Sequence, residues 1–152
     1  MLTVTKEFRW DMAHMLACHE GLCKNVHGHT YKMQVEVANS SGAVLSLPQE
    51  SEDGMIIDFK KLKDIVLEYI IHPLDHAFMY WIGSPDPFEH ELAALLKKHN
   101  KKIAIVKYKP TAEQMAQAFL GTLKKELSKY NIIVKCVTIW ETPTSFAKAM
   151  EA

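Results

Sequence analysis

The chain has 152 residues, of which 48% are hydrophobic, and this length predicts a single domain over residues 1–152 with a core of ordinary size. Its 18 Lys and Arg balance 18 Asp and Glu without a basic run, and no apolar run is long enough to span a bilayer, which disfavours a nucleic-acid partner and a membrane protein. Three cysteines, an odd number, favour free thiols over a disulfide framework, and we expect a cytoplasmic protein.

The first two predicted strands cover residues 3–13 and 29–38. Side chains two positions apart in a strand point to the same face. By this rule His14 continues the apolar face of the first strand. His27 and His29 continue the apolar face of the second, which contains Tyr31, Met33, Val35 and Val37. The three histidines are therefore predicted to extend two adjacent inward faces into one pocket.

These three histidines form a candidate metal site. Three neutral imidazoles with an open fourth position are typical of catalytic zinc. Gly28 has no side chain, which favours the close approach of an ion, and the chain has no Cys-x-x-Cys pair of the kind found in structural zinc sites. The alternative is that His27 and His29 are ordinary loop and strand residues.

The remaining chain is predicted to contain three helices and three strands. After a polar turn region over residues 39–54, Asp58 is the predicted N-cap of a helix that ends at Pro73. Asp86 caps a second helix that ends near His99. A short strand over residues 102–108 precedes a third helix from Thr111, where T-A-E-Q matches a reciprocal capping box. Residues 132–141 and 145–150 are predicted to form a hairpin through residues 142–144.

The strand over residues 132–141 has apolar side chains on both faces. Strict alternation places Val134, Cys136 and Trp140 on one face and Val137 and Ile139 on the other. Both faces need cover, and we expect helices on one side and another subunit on the other. Glu141 continues the face of Val137 and Ile139, so its carboxylate either enters a pocket or lies at the solvated end of the strand. Burial would require hydrogen-bond donors, which a ligand can supply.

Cys23 and the Asp75-His76 pair are further candidates for chemistry. Lys24 beside Cys23 provides a cation that favours the reactive thiolate. The alternative is a small buried apolar side chain, which is what we expect for Cys18 and Cys136. Asp75 can orient the imidazole of His76 for proton transfer, although an ordinary turn is the more common explanation of such a dipeptide.

Motifs along nearly the whole chain resemble the 6-pyruvoyl-tetrahydropterin synthase superfamily. They are F-R-W-D-M-A-H ending at His14, C-K-N-V-H-G-H over residues 23–29, G-M-I-I-D-F over 54–59, L-D-H over 74–76, P-T-A-E over 110–113 and W-E-T over 140–142. The resemblance implies an α+β tunnelling fold (T-fold), an antiparallel sheet of two hairpins with helices on one face. It also implies that three subunits close a β-barrel and that two such trimers stack into a homohexamer, an arrangement that removes exposed sheet edges.

The resemblance also implies an activity. Three residues separate Cys23 from His27, a spacing similar to that of the queuosine-pathway carboxytetrahydropterin synthases. Members of that branch convert 7,8-dihydroneopterin triphosphate to 6-carboxytetrahydropterin, acetaldehyde and triphosphate. The implied roles are zinc binding for His14, His27 and His29, general base for Cys23, a proton relay for Asp75 and His76, and recognition of the pterin by Glu141.

Two alternatives and two open points accompany this interpretation. A pyruvoyl-forming synthase would share every ligand, and a non-catalytic pterin-binding or zinc-binding protein would not need Cys23. Thr111 and Glu113 match a segment near the ligand pocket, but a helix cap and a first-turn acid explain them equally well. Residues 81–108 form an insertion relative to the shorter bacterial members, and the sequence does not identify which lysines meet the triphosphate.

Overall fold

Six strands form one curled, mixed sheet in the computed structural model, which describes residues 1–152. The strands are β1 (Val4–His14), β2 (His27–Asn39), β3 (Phe78–Trp81), β4 (Ile103–Val106), β5 (Ile132–Thr142) and β6 (Ser145–Met150). Their order across the sheet is β4-β3-β1-β2-β5-β6. The helices are α1 (Phe59–Val66), α2 (His72–Leu74), α3 (Pro87–Lys98) and α4 (Ala112–Leu127), with a π-helical turn (Leu67–Ile71) joining α1 to α2.

The hydrophobic core lies between the sheet and helices α1 and α4. We call the sheet face toward these helices the inner face, which carries Met12 and Met33, and the opposite one the outer face, which carries Asp11 and Lys32. Apolar side chains of both helices reach the inner face, and Phe119 of α4 lies 6.3 Å from Trp10 between ring centroids. No helix combines the length and apolar character needed to cross a bilayer.

Strands β1 and β2 form the antiparallel hairpin that was predicted. His14, the last residue of β1, pairs with His27, the first residue of β2, and Met12 pairs with His29. The second strand thus begins two residues earlier than predicted. Alternate residues of both strands are buried, from Phe8 to His14 on β1 and from Tyr31 onward on β2, which confirms the predicted faces.

Strand β5 departs from strict alternation at a β-bulge. Val37 pairs with Val134 whereas its neighbour Glu36 pairs with Cys136, so Lys135 is an extra residue on β5. The bulge places Val134 in the core together with Val137 and Ile139. The prediction that Val134 shares a face with Cys136 was therefore wrong, because one inserted residue reverses the parity of everything before it. Glu141, which follows the bulge, keeps its predicted face.

The sequence predicts a purely antiparallel sheet. The observed sheet is mixed, because β3 and β4 extend it with parallel pairs. Phe78 of β3 pairs in parallel with Ala13 of β1, and β4 runs parallel to β3. No sequence pattern indicated β3, since four consecutive apolar or aromatic residues show no periodicity. Four strands, β1, β2, β5 and β6, keep the expected pair of antiparallel hairpins.

Helix α3 connects β3 to β4 and lies on the outer face, so not all helices are on one side. Ala13, Phe78 and Tyr80 share the outer face by register, and the hydroxyl of Tyr80 hydrogen-bonds to His90 of α3. Glu89 of α3 is fully buried and accepts a hydrogen bond from the backbone N–H of Trp81 at 3.1 Å. The insertion over residues 81–108 therefore adds a layer beside the end of β1.

Three of the predicted helix starts are confirmed by their caps. Asp58 accepts a hydrogen bond from the backbone N–H of Lys60, Asp86 from Phe88, and Thr111 from Gln114. The capping box at Thr111 is not reciprocal, because the Thr111 N–H instead donates to the carbonyl of Lys109 at 2.8 Å. The first helical segment continues one residue past Pro73, after a π-helical turn in which the His72 N–H donates to Leu67.

Candidate functional site

The end of the β1–β2 hairpin brings the three predicted histidines together. The ligating nitrogens available on His14, His27 and His29 lie within 4.8 Å of one another. The Nε2 atoms of His14 and His27 are 3.1 Å apart. The ligand atoms of a tetrahedral zinc ion, with bonds of about 2.0–2.1 Å, are separated by roughly 3.4 Å. The spacing of these imidazoles therefore suits a metal ion of this size.

Backbone carbonyls orient two of the imidazoles. The Nδ1–H of His14 donates to the carbonyl of Pro110 at 2.8 Å, and the Nδ1–H of His27 donates to the carbonyl of Asn25 at 2.7 Å. Each bond leaves the Nε2 lone pair of its ring pointing at the other ring. Two such lone pairs at this distance repel each other unless a cation lies between them.

His29 supplies independent evidence for a cation. Its Nε2 atom is buried and has no hydrogen-bond partner, which is costly for a polar atom unless a ligand satisfies it. The carboxylate of Glu141 is the nearest charged group, with Oε1 3.6 Å from Nε2 of both His29 and His14. That distance is longer than a hydrogen bond. The donor set of three imidazole nitrogens beside one carboxylate therefore fits a divalent cation.

Burial keeps two of these imidazoles, those of His14 and His29, in the neutral form that binds metals. Desolvation lowers the pKa of His14 to about 4, against a raising effect of the hydrogen bond to Pro110, and the other two rings lower it further. Burial also lowers the pKa of His29, with a contribution from His27 and an opposing one from Glu141. Neutral His14 and His29 at physiological pH need no proton release before they bind a metal.

Tyr31 is a site residue that sequence reasoning assigned only to the core. It is fully buried, stacks on Trp10 with centroids 5.3 Å apart, and places its hydroxyl 3.4 Å from Nδ1 of His14. Burial raises the pKa of Tyr31, and the nearby Glu141 and Cys23 raise it further, so the phenol stays protonated. Its position two residues after His29, on the same face of β2, was the available signal.

Cys23 and Glu141 line a common cavity of about 390 Å³ between the 15–26 loop, α4 and the β5–β6 hairpin. Cys23 is half-buried in a short 3-10 turn (Leu22–Lys24), and its carbonyl accepts a hydrogen bond from the Leu16 N–H at 2.8 Å. Thr111 and Glu113 line the same cavity. So do His19, Lys109 and Ser145, which sequence reasoning did not select. Cys18, expected to be buried, is exposed, whereas Cys136 is buried as expected.

The Asp75-His76 pair lies on the other side of the sheet from this cavity. His76 Nδ1–H donates to Asp75 Oδ1 at 2.8 Å, and the backbone N–H of Asp11 donates to the same oxygen at 3.2 Å. Asp11 is on the outer face of β1, opposite to His14. The structure thus brings together the three histidines, Glu141 and Cys23. Within one chain, the Asp75-His76 pair does not reach this group of residues.

His76 is held in a backbone conformation that favours glycine, with φ of 61°. Its N–H donates to the carbonyl of Asp11 at 2.7 Å, which fixes the turn against β1. Partial burial raises the pKa of Asp75, but the hydrogen bonds from Asp11 and His76, together with the charges of His76 and Lys102, lower it overall. Asp75 is therefore an ionised acceptor that orients the ring of His76.

Comparison with known proteins identifies relatives along the whole chain. The model of the 6-pyruvoyl tetrahydropterin synthase family matches residues 3–152. The 6-carboxy-5,6,7,8-tetrahydropterin synthase of Haemophilus influenzae is 40% identical over 99% of this chain and 100% of its own length. That of Aquifex aeolicus is 35% identical over 85% of this chain and 76% of its own length.

Solved structures share the fold. An uncharacterized protein from Wolinella succinogenes matches with a TM-score of 0.75 and 22% identity, over 99% of this chain and 98% of its own. The 6-pyruvoyl tetrahydropterin synthase of Caenorhabditis elegans matches with a TM-score of 0.66 and 22% identity, over 99% and 96%. The α+β T-fold expected from the sequence is confirmed by these likenesses.

Proposed function

Because the chain belongs to the 6-pyruvoyl tetrahydropterin synthase family, we propose that it is a 6-carboxy-5,6,7,8-tetrahydropterin synthase of queuosine biosynthesis. The reaction is the conversion of 7,8-dihydroneopterin triphosphate and one water molecule to 6-carboxytetrahydropterin, acetaldehyde and triphosphate. The observation that carries the proposal is the cluster of three imidazoles whose Nε2 atoms converge beside Glu141 and the cavity of Cys23. The three-residue spacing from Cys23 to His27 supports the carboxy branch of the family.

The metal in this proposal is zinc, bound by His14, His27 and His29. Bound there, zinc would act as a Lewis acid that polarises the hydroxyls of the substrate's side chain and makes the adjacent C–H bonds more acidic. The carbonyls of Pro110 and Asn25 hold two of the rings in position beforehand. This preorganisation means that the ligands do not have to rotate when the metal or the substrate arrives.

The cavity shared by Cys23 and Glu141 is where the proposal places the substrate. Glu141 accepts hydrogen bonds from the amino and ring N–H groups of the pterin, which form two parallel donors matched to a carboxylate. Cys23 removes a proton from the side chain as the general base. The protonated phenol of Tyr31 is a donor beside His14 and has no negative charge that would repel charge developing on the substrate.

The proposed relay of Asp75 and His76 depends on assembly. The pair lies on the outer face, whereas Cys23 reaches the substrate from the inner side of the hairpin end. A relay that acts on the same substrate as Cys23 therefore has to come from a neighbouring copy, which the proposed homohexamer can provide. The single-domain organisation over residues 1–152 and the cytoplasmic location remain predictions.

The test is product identification with purified, zinc-loaded protein and 7,8-dihydroneopterin triphosphate. We expect acetaldehyde and triphosphate in equal amounts. Triphosphate without acetaldehyde would indicate the pyruvoyl-forming reaction instead, and neither product would indicate a binding protein.

Two variants separate metal binding from catalysis. Cys23→Ala should lose turnover and keep its zinc, because the sulfur is not needed as a ligand if three histidines suffice. His27→Ala should lose both turnover and zinc. Unchanged zinc in the His27 variant would remove that ring from the coordination shell.

A further inference from the structure

A cavity of about 720 Å³ lies on the outer face and has two adjacent lysines in its wall. It runs from His29 and Thr30 on β2 past His76 and Phe78 to Leu96 of α3, and then to Lys101 and Lys102. Both lysines belong to the insertion over residues 81–108, just before β4. The cavity therefore places the relay histidine and two cations in one space.

Both lysines are available to an anionic ligand. Neither forms an ion pair with a carboxylate of the chain. Lys102 Nζ donates to the carbonyls of His72 and Asp75, each at 2.6 Å, which fixes the ammonium group and leaves one of its three N–H donors unused. Lys101 is exposed and makes no side-chain hydrogen bond. The cavity thus has one fixed and one adaptable cation.

Two carboxylates lie near these lysines, and both already accept hydrogen bonds from the chain. Asp11 accepts a hydrogen bond from the hydroxyl of Thr30 at 2.5 Å. Asp75 accepts from the Asp11 N–H and from His76 Nδ1. The groups that remain to donate to a ligand are the two ammonium groups. The lining thus has two lysines against one carboxylate, that of Asp11, and can bind an anion.

We propose that Lys101 and Lys102 bind the triphosphate of a substrate held at the Cys23 and Glu141 cavity of a neighbouring copy of the chain. This inference rests on the proposed function. It identifies the lysines that contact the triphosphate, which the sequence alone does not identify. Lys109 is the competing candidate, but it shares its smaller cavity with the carboxylates of Glu113 and Glu141. Two carboxylates and one lysine line that cavity, whereas two lysines and one carboxylate, that of Asp11, line the outer cavity beside the relay. The triphosphate is the leaving group, so its binding at these lysines places it beside His76 of the proposed relay.

The primary test measures binding of inorganic tripolyphosphate to the zinc-loaded protein by titration calorimetry, at constant ionic strength. The Lys101→Ala/Lys102→Ala variant should bind it about 100-fold more weakly, at roughly tenfold per lysine. The matched control is Lys97→Ala/Lys98→Ala, which removes the same charge from the exposed end of α3 outside the cavity. The control should bind within about twofold of the unmodified chain. In steady-state kinetics, KM for 7,8-dihydroneopterin triphosphate should rise in parallel in the first variant only.

Lys102 also supports the Asp75 turn, so its loss can disturb the fold locally. Lys101→Ala and Lys101→Glu avoid this contact, and they should weaken tripolyphosphate binding about tenfold and more than tenfold, respectively. The proposal is overturned if the control variant loses affinity to the same extent, if Lys109→Ala causes the loss instead, or if the unmodified chain does not bind tripolyphosphate.

The outcomes separate this inference from the proposed function. Acetaldehyde release with an unchanged KM in the double variant would overturn the inference and leave the function standing. Lysine-dependent tripolyphosphate binding by a chain that releases no acetaldehyde would overturn the function and support an anion site at these residues.

Discussion

Acidification of the metal-free protein should lower its free energy of unfolding, because His14 is buried in its neutral form. Its side chain is fully buried, and burial lowers its pKa from 6.5 to about 4. That difference corresponds to about 3 kcal/mol. Between pH 6.5 and about 4 the unfolded chain binds a proton at this residue that the folded chain does not. The free energy of unfolding therefore falls as the pH falls through this window, and the contribution is complete above pH 6.5 and absent below about pH 4.

The assay is urea unfolding of chelator-treated protein at several pH values from 7.5 to 4, at one fixed protein concentration because an oligomer's stability depends on it. The matched variant is His14→Asn, whose amide nitrogen takes the place of Nδ1, can still donate to the Pro110 carbonyl and does not titrate. Carboxylates whose pKa is lowered, such as Asp75 and Glu126, destabilise both proteins equally on acidification and cancel in the comparison. The unmodified chain should lose about 3 kcal/mol more than the variant. Parallel pH profiles of the two proteins would refute the assignment of a neutral, buried His14.

Three further predictions follow from single contacts. His76→Gly relieves the positive φ and should leave the free energy of unfolding unchanged or up to about 1 kcal/mol higher, while turnover is lost. A stable variant with normal turnover would show that His76 is not part of the mechanism. Glu141→Gln keeps the shape but loses the charge, and should raise the dissociation constant for a pterin by about tenfold or more in a fluorescence titration, with zinc content unchanged by elemental analysis. Asp58→Ala removes the cap on Lys60 and should lower the free energy of unfolding by about 1 kcal/mol in urea without changing KM.

The site could be predicted from the sequence where it depends on strand parity. The period of two placed His14 on one strand and His29 on the next toward the same side, and antiparallel pairing then brought them together. Parity also gave Glu141 its correct face. Although the pairing with β6 shifts between Trp140 and Thr142, the Glu141 carboxylate lies 3.6 Å from Nε2 of His14 and of His29. The starts of α1, α3 and α4 could also be predicted, because each helix cap depends on residues only a few positions apart.

The sequence failed where the answer depends on contacts distant along the chain. The bulge at Lys135 has no local signature, and a single extra residue moved Val134 to the opposite face from the predicted one. Strand β3 was missed because its partner, β1, is far away in sequence and its four residues have no period. The position of the Asp75-His76 turn on the outer face follows from that same pairing, so it could not be predicted either.

Gly28 shows how the sheet itself sets the metal site. The sequence suggested that a missing side chain leaves room for an ion, but Gly28 lies between the two inward histidines and therefore faces the outer side. A Cβ atom there would lie 3.1 Å from the carbonyl oxygen of Met12 on the neighbouring strand. Glycine thus allows β1 and β2 to approach closely at their ends, where Met12 pairs with His29 and His14 with His27. The close approach of these two backbones, rather than space for the ion, is what brings His14 Nε2 to 3.1 Å from His27 Nε2.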